Sequence, residues 1–256
     1  MKRDTALTIV VFASAALVQI VSAGTEPVSG KEMKEVAPAP PPCDWNGFYL
    51  GGHIGFGGGD LIWRDVDFGD NEILTHQVPI GVFGGGQLGY NHQFGSWFVA
   101  GIEGAFAYSD IHHKSVKTEP NDDKNTFDDD NNWTATAALR GGFTSLNNHL
   151  WTYAKGGVVW SHWEYDWTHD ETAGGGNVDR FSHDETRVAP MLGFGMEYAI
   201  NCRWSVKLEY QHLFLGSADI SGRRLDDGVF ENEHYRIDLA TQDSVQAGIN
   251  YKFWSF

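Results

Sequence analysis

The sequence predicts an all-β protein: an eight-stranded antiparallel transmembrane β-barrel with short periplasmic turns and four long extracellular loops. Eight segments alternate apolar and polar residues with a period of two, as strands do when one face meets an apolar medium. The links between those segments alternate between short and long, the layout of an outer-membrane barrel. Beyond the N-terminal segment, no apolar run is long enough for a membrane-spanning helix.

The N-terminal segment is read as a leader. Lys2 and Arg3 precede an apolar run from Ala6 to Val21, which ends in Val21-Ser22-Ala23. A positive start, an apolar stretch and a small-x-small site make residues 1–23 a secretory signal cut after Ala23. Residues 24–44, rich in proline and charge, read as a periplasmic linker that cannot bury enough surface to order itself. Residues 45–256 are left for the barrel.

The eight strands follow in order. Trp45–Gly59 carries Phe48, Leu50, Ile54 and Phe56 on one face, and Val78–Phe94 carries Ile80, Val82, Leu88 and Tyr90. From Phe98, the third sets Ile102 and Phe106 against Glu103. Asn132–Leu146 sets Trp133, Ala135, Ala137, Leu139 and Phe143 against Arg140 and several threonines. The fifth, Leu150–Trp163, places Val158 and Trp160 outside and Lys155 inside. Arg187–Ile200 carries Leu192, Phe194 and Met196 opposite Glu197. Trp204–His212 sets Val206, Leu208 and Tyr210 against Lys207 and Glu209, and Ser244–Phe253 sets Ala247, Ile249 and Tyr251 against Asn250 and Lys252. Gly-Ser, Asn-Asn-His and Asn-Cys-Arg make three short turns, and residues 60–77, 110–131, 164–186 and 216–243 read as long polar loops. Closure follows from hydrogen bonding, because hydrocarbon offers no water to an open sheet edge.

The inward series then collects charges of both signs: Glu103, Arg140, Lys155, Glu197, Lys207, Glu209 and Lys252. Glu103 and Arg140 lie on neighbouring strands, with Lys155 one strand further. Eight strands leave a lumen just wide enough for side chains to fill, and charges buried there persist only when paired. The set reads as a polar plug that fixes strand register, or alternatively as the gate of a narrow channel for small solutes.

"WNGFYLGGHIGFGGG", "GVFGGGQLGYNHQFGSWFVAGIEGAF", "YAKGGVVW", "LGFGMEYAINCRWSVKLEYQHLFLG" and "VQAGINYKF" resemble the small porin-like outer-membrane β-barrel proteins of alphaproteobacteria, similar to the transmembrane domain of the OmpA superfamily. The resemblance covers nearly all of Trp45–Phe253. It implies residence in the outer membrane, envelope-stabilising or host-facing roles, and delivery by the barrel assembly machinery, which reads a terminal aromatic. Here "WSF" follows Phe253, so Phe256 is an alternative terminal aromatic in a shifted position. No peptidoglycan-binding domain is expected after the barrel.

Other constellations yield to plainer readings. The chain holds 34 acidic against 18 basic residues, a net charge of −16, and such a field repels polyanions, so no nucleic-acid partner is expected. Acids at Asp122-Asp123 and Asp128–Asp130 lack the spacing of an EF-hand loop, so no metal site is assigned. Divalent ions bridging loops to lipopolysaccharide phosphates remain the expected association. His113 with Ser115, and His162 with Ser161, suggest a lipid A-modifying enzyme as the weakest alternative. Neither glycine-rich run precedes a helical pattern, so a phosphate loop and a nucleotide cofactor are excluded; in a strand, glycine serves close packing. Trp45, Trp97, Trp151 and Trp204 fall at the periplasmic ends and Trp133, Trp160 and Trp163 towards the outer ones, as in aromatic girdles, although Trp45, Trp97 and Trp151 share the inward parity. Cys43 and Cys202 both fall on the periplasmic side, where export permits a disulfide; the sequence leaves open whether they bond, and also the oligomeric state. The expectation is an outer-membrane structural and surface protein without catalysis or cofactor.

Overall fold

Tight turns fix the periplasmic end. The computed structural model describes residues 43–65, 72–118, 123–170, 178–226 and 229–254; the expected signal, most of the linker and Phe256 lie outside them. Gly95 turns the chain at φ +65°, a left-handed conformation that glycine adopts without a Cβ penalty. Asn147 and Asn148 do the same at φ 54° and 65°, where asparagine is tolerated. In the third turn, the Asn201 side-chain oxygen accepts from the backbone N–H groups of Arg203 and Trp204, each at 2.9 Å.

Among the described residues are ten strands: β1 (Gly47–Asp65), β2 (Glu72–Gln77), β3 (Ile80–Phe94), β4 (Phe98–Thr118), β5 (Lys124–Ser145), β6 (Leu150–Asp170), β7 (Val178–Ala199), β8 (Trp204–Leu213), β9 (Ser217–Asp226) and β10 (Val229–Trp254). They form eight staves, because β2 continues β3 upward and β9 continues β8. Every ladder is antiparallel, running β1–β3–β4–β5–β6–β7–β8–β10, and β10 returns to β1 from Phe48–Trp254 upward. The ring therefore has no edge at this level.

Outside the lower ring stand Leu50, Ile54, Leu88, Ile102, Leu139, Leu192, Phe194 and Leu208, all at least half exposed. A belt this apolar is stable only against acyl chains. Glycine lets the staves close tightly: a Cβ on Gly157 would collide with the Ala137 carbonyl on the neighbouring strand.

Much of the long polar links, expected as loops at 60–77, 110–131, 164–186 and 216–243, is strand among the described residues, so the staves rise well beyond the apolar belt. A level of irregularity marks the transition. Register shifts fall between Gly59 and Leu61, Tyr108 and Ile111, and Asn131 and Trp133. Two staves break outright, at Val78-Pro79 and at Phe214–Gly216, where Pro79 has no N–H for a ladder and Gly216 has φ +69°. Above the breaks the ladders group into two four-stranded sheets, β2–β1–β10–β9 and β4–β5–β6–β7, joined by a single β7–β9 pair at Arg180 and Leu225.

Between those sheets lies an apolar core. Leu61, Trp63 and Ile237 come from the first sheet, and Ile111, Phe127, Val159, Trp163, Tyr165, Phe181 and Met191 from the second. On β6 the inversion can be read residue by residue: Lys155 and then Val159, Trp163 and Tyr165 face inward, while Val158 and Trp160 and then Glu164 and Asp166 face outward.

Candidate functional site: a lumen filled at three levels

The lowest filling sits at the periplasmic mouth. Trp45 precedes the first strand and tucks beneath the barrel, its indole N–H donating to the Asn148 carbonyl at 2.9 Å and its backbone N–H to the Gln93 side chain at 3.0 Å. Trp45 packs on Trp151 at 5.6 Å between ring centres, with Val99, Tyr153 and Ala199 around them. A disulfide joins Cys43 to Cys202 and pins this stopper to the third turn. Lys252 belongs to this end and not to the charge cluster. Its ammonium donates to the carbonyl and carboxylate of Asp44 at 2.7 and 2.8 Å, because its place near the end of β10 leaves the mid-lumen carboxylates out of reach.

Above it, the other six predicted charges meet. Glu103 accepts from Arg140 Nη1 at 2.8 Å, from Lys155 Nζ at 2.7 Å and from the Tyr49 hydroxyl at 2.8 Å, with Lys207 Nζ at 3.3 Å. Arg140 Nη2 donates to Glu197 at 2.5 Å. Lys155 also donates to Glu209 at 3.0 Å. Three cations oppose three carboxylates, so the cluster is formally neutral, and all six side chains are essentially sealed from solvent.

Neutral donors satisfy the remaining lone pairs. Ser205 and Asn250 donate to Glu197 at 2.5 and 2.8 Å, and Tyr153, Gln211 and Gln246 donate to Glu209 at 2.7, 2.6 and 2.7 Å. The Arg140 guanidinium lies 4.2 Å from the Tyr153 ring centre and 4.5 Å from that of Trp151, within cation–π range. Sequence reasoning missed Tyr49, Tyr153, Ser205, Gln211, Gln246 and Asn250 as members of this cluster. Their inward parity is the signal that marks them, although none carries a formal charge.

A small chamber of about 30 Å³ separates this layer from the outer core, lined by polar His53, Gln211 and Gln246 and by apolar Phe83, Ile111 and Leu213 among others. It has room for about two water molecules. The outer core then fills the lumen above. There the Trp63 indole N–H donates to Asp129 at 3.1 Å, and this carboxylate lies beyond the apolar belt. Burial first, and then the neighbouring Asp128, Asp130 and Asp166, push its pKa up to about 8 against the lowering effect of the Trp63 bond.

The tryptophans divide by environment. Trp97 and Trp204 face outward, with Trp97 stacked on Phe143 at 5.4 Å. Trp45 and Trp151 fill the lumen. Trp163 is fully buried in the outer core and is not part of a girdle. Ser161 and His162 face opposite sides of β6: Ser161 bonds inward to Asn131 at 2.9 Å, and His162 stacks outward on Trp133 at 5.5 Å. His113 and Ser115 share the inward face of β4. Among the described residues, no group of three or more His, Cys, Asp or Glu is arranged to hold a metal ion.

Residues 36–253 match the family described as outer membrane protein beta-barrel domain, and the chain belongs to that family. The 31 kDa outer-membrane immunogenic proteins of Brucella melitensis and Brucella suis are each 29% identical to it over 225 residues, covering 85% of this chain and 88% of theirs. Among solved structures, the outer membrane protein OprG from Pseudomonas aeruginosa superposes with a TM-score of 0.51 at 14% identity, over 84% of this chain and 99% of its own. The outer membrane protease OmpT from Escherichia coli superposes with a TM-score of 0.50 at 8% identity, over 82% and 97%. At such identities the likeness is one of fold. The chain is an integral outer-membrane β-barrel protein.

Proposed function

We propose that this barrel is a non-conducting structural protein that holds a rigid two-sheet head above the outer membrane. The observation that carries the reading is the filled lumen. A solute would have to displace the Trp45 stopper, break a neutral six-charge cluster and part an aromatic core. Separating any of those buried pairs leaves an uncompensated charge at a cost of about 3–5 kcal/mol, so the cluster acts as a plug that fixes register. The relatives named outer-membrane immunogenic proteins support a surface-facing role.

Catalysis is no part of this reading: Ser161 and His162 point away from each other, and among the described residues no hydrogen bond joins His113 to Ser115 although they share a face of β4. Lipopolysaccharide, held at the polar rim through divalent ions, and the barrel assembly machinery are the partners it implies. The test is planar-bilayer recording on refolded protein, wild type against Glu103→Ala. Near-zero conductance in both is expected. Discrete conductance steps in wild type that change in Glu103→Ala would establish the gated channel instead, and altered lipid A masses after incubation would establish an enzyme.

A further inference from the structure

The two seams between the outer sheets differ. Between β7 and β9 the strands come within pairing distance at Arg180 and Leu225. Arg187 ties that seam, Nη1 donating to the Gly216 carbonyl at 3.1 Å and Nη2 to the Ile237 carbonyl at 3.4 Å. Between β2 and the outer part of β4 no ladder forms among the described residues. The β3–β4 ladder ends at Ile80–His112, and above it, among the described residues, β2 forms a ladder with β1 and β4 forms one with β5.

The gap has a definite scale. Cα atoms of β2 and β4 stand more than 8 Å apart along almost their whole length, too far for direct pairing at about 4.8 Å. Lys117 crosses it, its ammonium bonded to the Leu74 carbonyl, so the gap is no wider than a lysine can span. One intervening strand needs two spacings, about 9.6 Å.

The surroundings select what could enter. Behind the seam lies the outer core, with Leu74 partly buried against it and Trp63, Ile111 and Phe127 buried within it. Gln77, buried at the foot of β2, has no hydrogen-bond partner for either atom of its amide among the described residues, so its donor and acceptor are free for an entering group. Lys114, Lys117 and Lys124 are the three lysines of the head, and all lie on β4 or at the adjoining start of β5; Lys114 is paired with Asp128 at 2.8 Å, which leaves Lys117 and Lys124 as the rim cations that select. Beyond them the outward face of β5 to β7 is acidic, with Asp128, Asp130, Glu164, Asp166 and Asp184. A second copy would set lysine edge against lysine edge, and like charges across strands repel.

We propose that the β2/β4 seam binds an extended polypeptide strand of a partner protein, its alternate side chains apolar towards the core and acidic towards solvent. Main-chain hydrogen bonds to the two unpaired edges supply affinity, and the outer core behind the seam and the lysine rim supply selectivity, as in strand addition to an open sheet. Entry replaces the single Lys117–Leu74 bond with a ladder. The proposal rests on the surface-facing reading above and names the class of partner that reading leaves open.

The test uses refolded full-length mature protein in detergent micelles with a labelled, end-blocked seven-residue peptide alternating Val and Glu, and a Val/Lys counterpart. Saturable anisotropy change is expected for Val/Glu, at least tenfold weaker binding for Val/Lys, and reversal of that order in Lys117→Glu/Lys124→Glu. Backbone amides of β2 and of residues 115–118 should exchange at least tenfold faster than those of mid-β6 in the free protein, and slow tenfold with the peptide bound. No saturable binding, equal binding of both peptides, an unchanged order in the double variant, seam amides already protected in the free protein, or self-association that protects them would each overturn the proposal. Labelling of whole cells with a membrane-impermeant amine reagent separates the two claims. Unreactive head lysines overturn the surface-facing reading itself, whereas reactive lysines without peptide binding overturn only this one.

Discussion

The lower ring and the outer head are built from the same eight staves with opposite polarity. In the ring, Leu208 faces out and Lys207 in; in the head, Glu164 faces out and Trp163 in. Strand geometry is common to both, because side chains alternate regardless of content. The medium outside decides which series is apolar. Where that medium is hydrocarbon, the polar residues retreat inward and must neutralise one another. Where it is water, the inward series becomes an ordinary apolar core, and the staves need not close at both seams because water can satisfy free backbone groups that hydrocarbon cannot.

The largest expected effects come from attacking each interior by its own logic. Arg140→Ala leaves Glu103 and Glu197 buried without their shared partner, and a loss of about 3–5 kcal/mol is expected. Trp163→Ala opens a cavity in the head, also at about 3–5 kcal/mol. Denaturant unfolding followed by site-resolved amide exchange should locate the first loss throughout the molecule and the second in the head alone. Head-confined loosening from Arg140→Ala would show that the cluster does not hold the ring together.

Outward substitutions sharpen the contrast. Leu208→Arg places a charge among acyl chains and should cost about 2–4 kcal/mol near the midplane. Glu164→Lys faces water opposite Asp130 and Asp184, where it relieves like-charge pairing and should change stability by no more than about 0.5 kcal/mol. Equal costs in refolding titrations would mean that the two regions share a medium.

One further effect is tied to pH and belongs to the head. Asp129 is held at about 8, above its ordinary 3.8, so the folded head prefers the protonated acid. Below about pH 4 the folded and unfolded chains bind the same proton and no penalty exists. As pH rises towards 8 the unfolded chain releases a proton that the folded head retains, and stability falls by up to about 1.4 kcal/mol per unit. Asp129→Asn keeps an acceptor for the Trp63 indole and should flatten that slope in exchange measurements on β5 and β6. An unchanged slope would remove Asp129 as its source.

Much of the ring was legible because lipid imposes a strict rule on every second residue. Phe48, Ile54, Leu139 and Leu208 announce their face by neighbours of opposite character, and the inward charges stand out against them. The head hid in plain view. Its outward residues are polar and its inward ones include Asn131, Ser161 and Asp129 among the aromatics, so residues such as 164–186 read as loop although Trp163, Tyr165 and Phe181 keep the period. Lys252 shares the parity of the cluster but sits too near the end of its strand to join it, and parity carries no information about height.

By itself the sequence determined the staves, their closure and the side on which each lower residue stands, because alternation is a local property read against a single medium. Only the tertiary structure decided which inward charges touch, that Cys43 meets Cys202 across 159 residues, and that Pro79 and Gly216 part the staves into two sheets. Those outcomes depend on distances across the lumen and on heights along it, and both emerge only when all eight staves have closed in register.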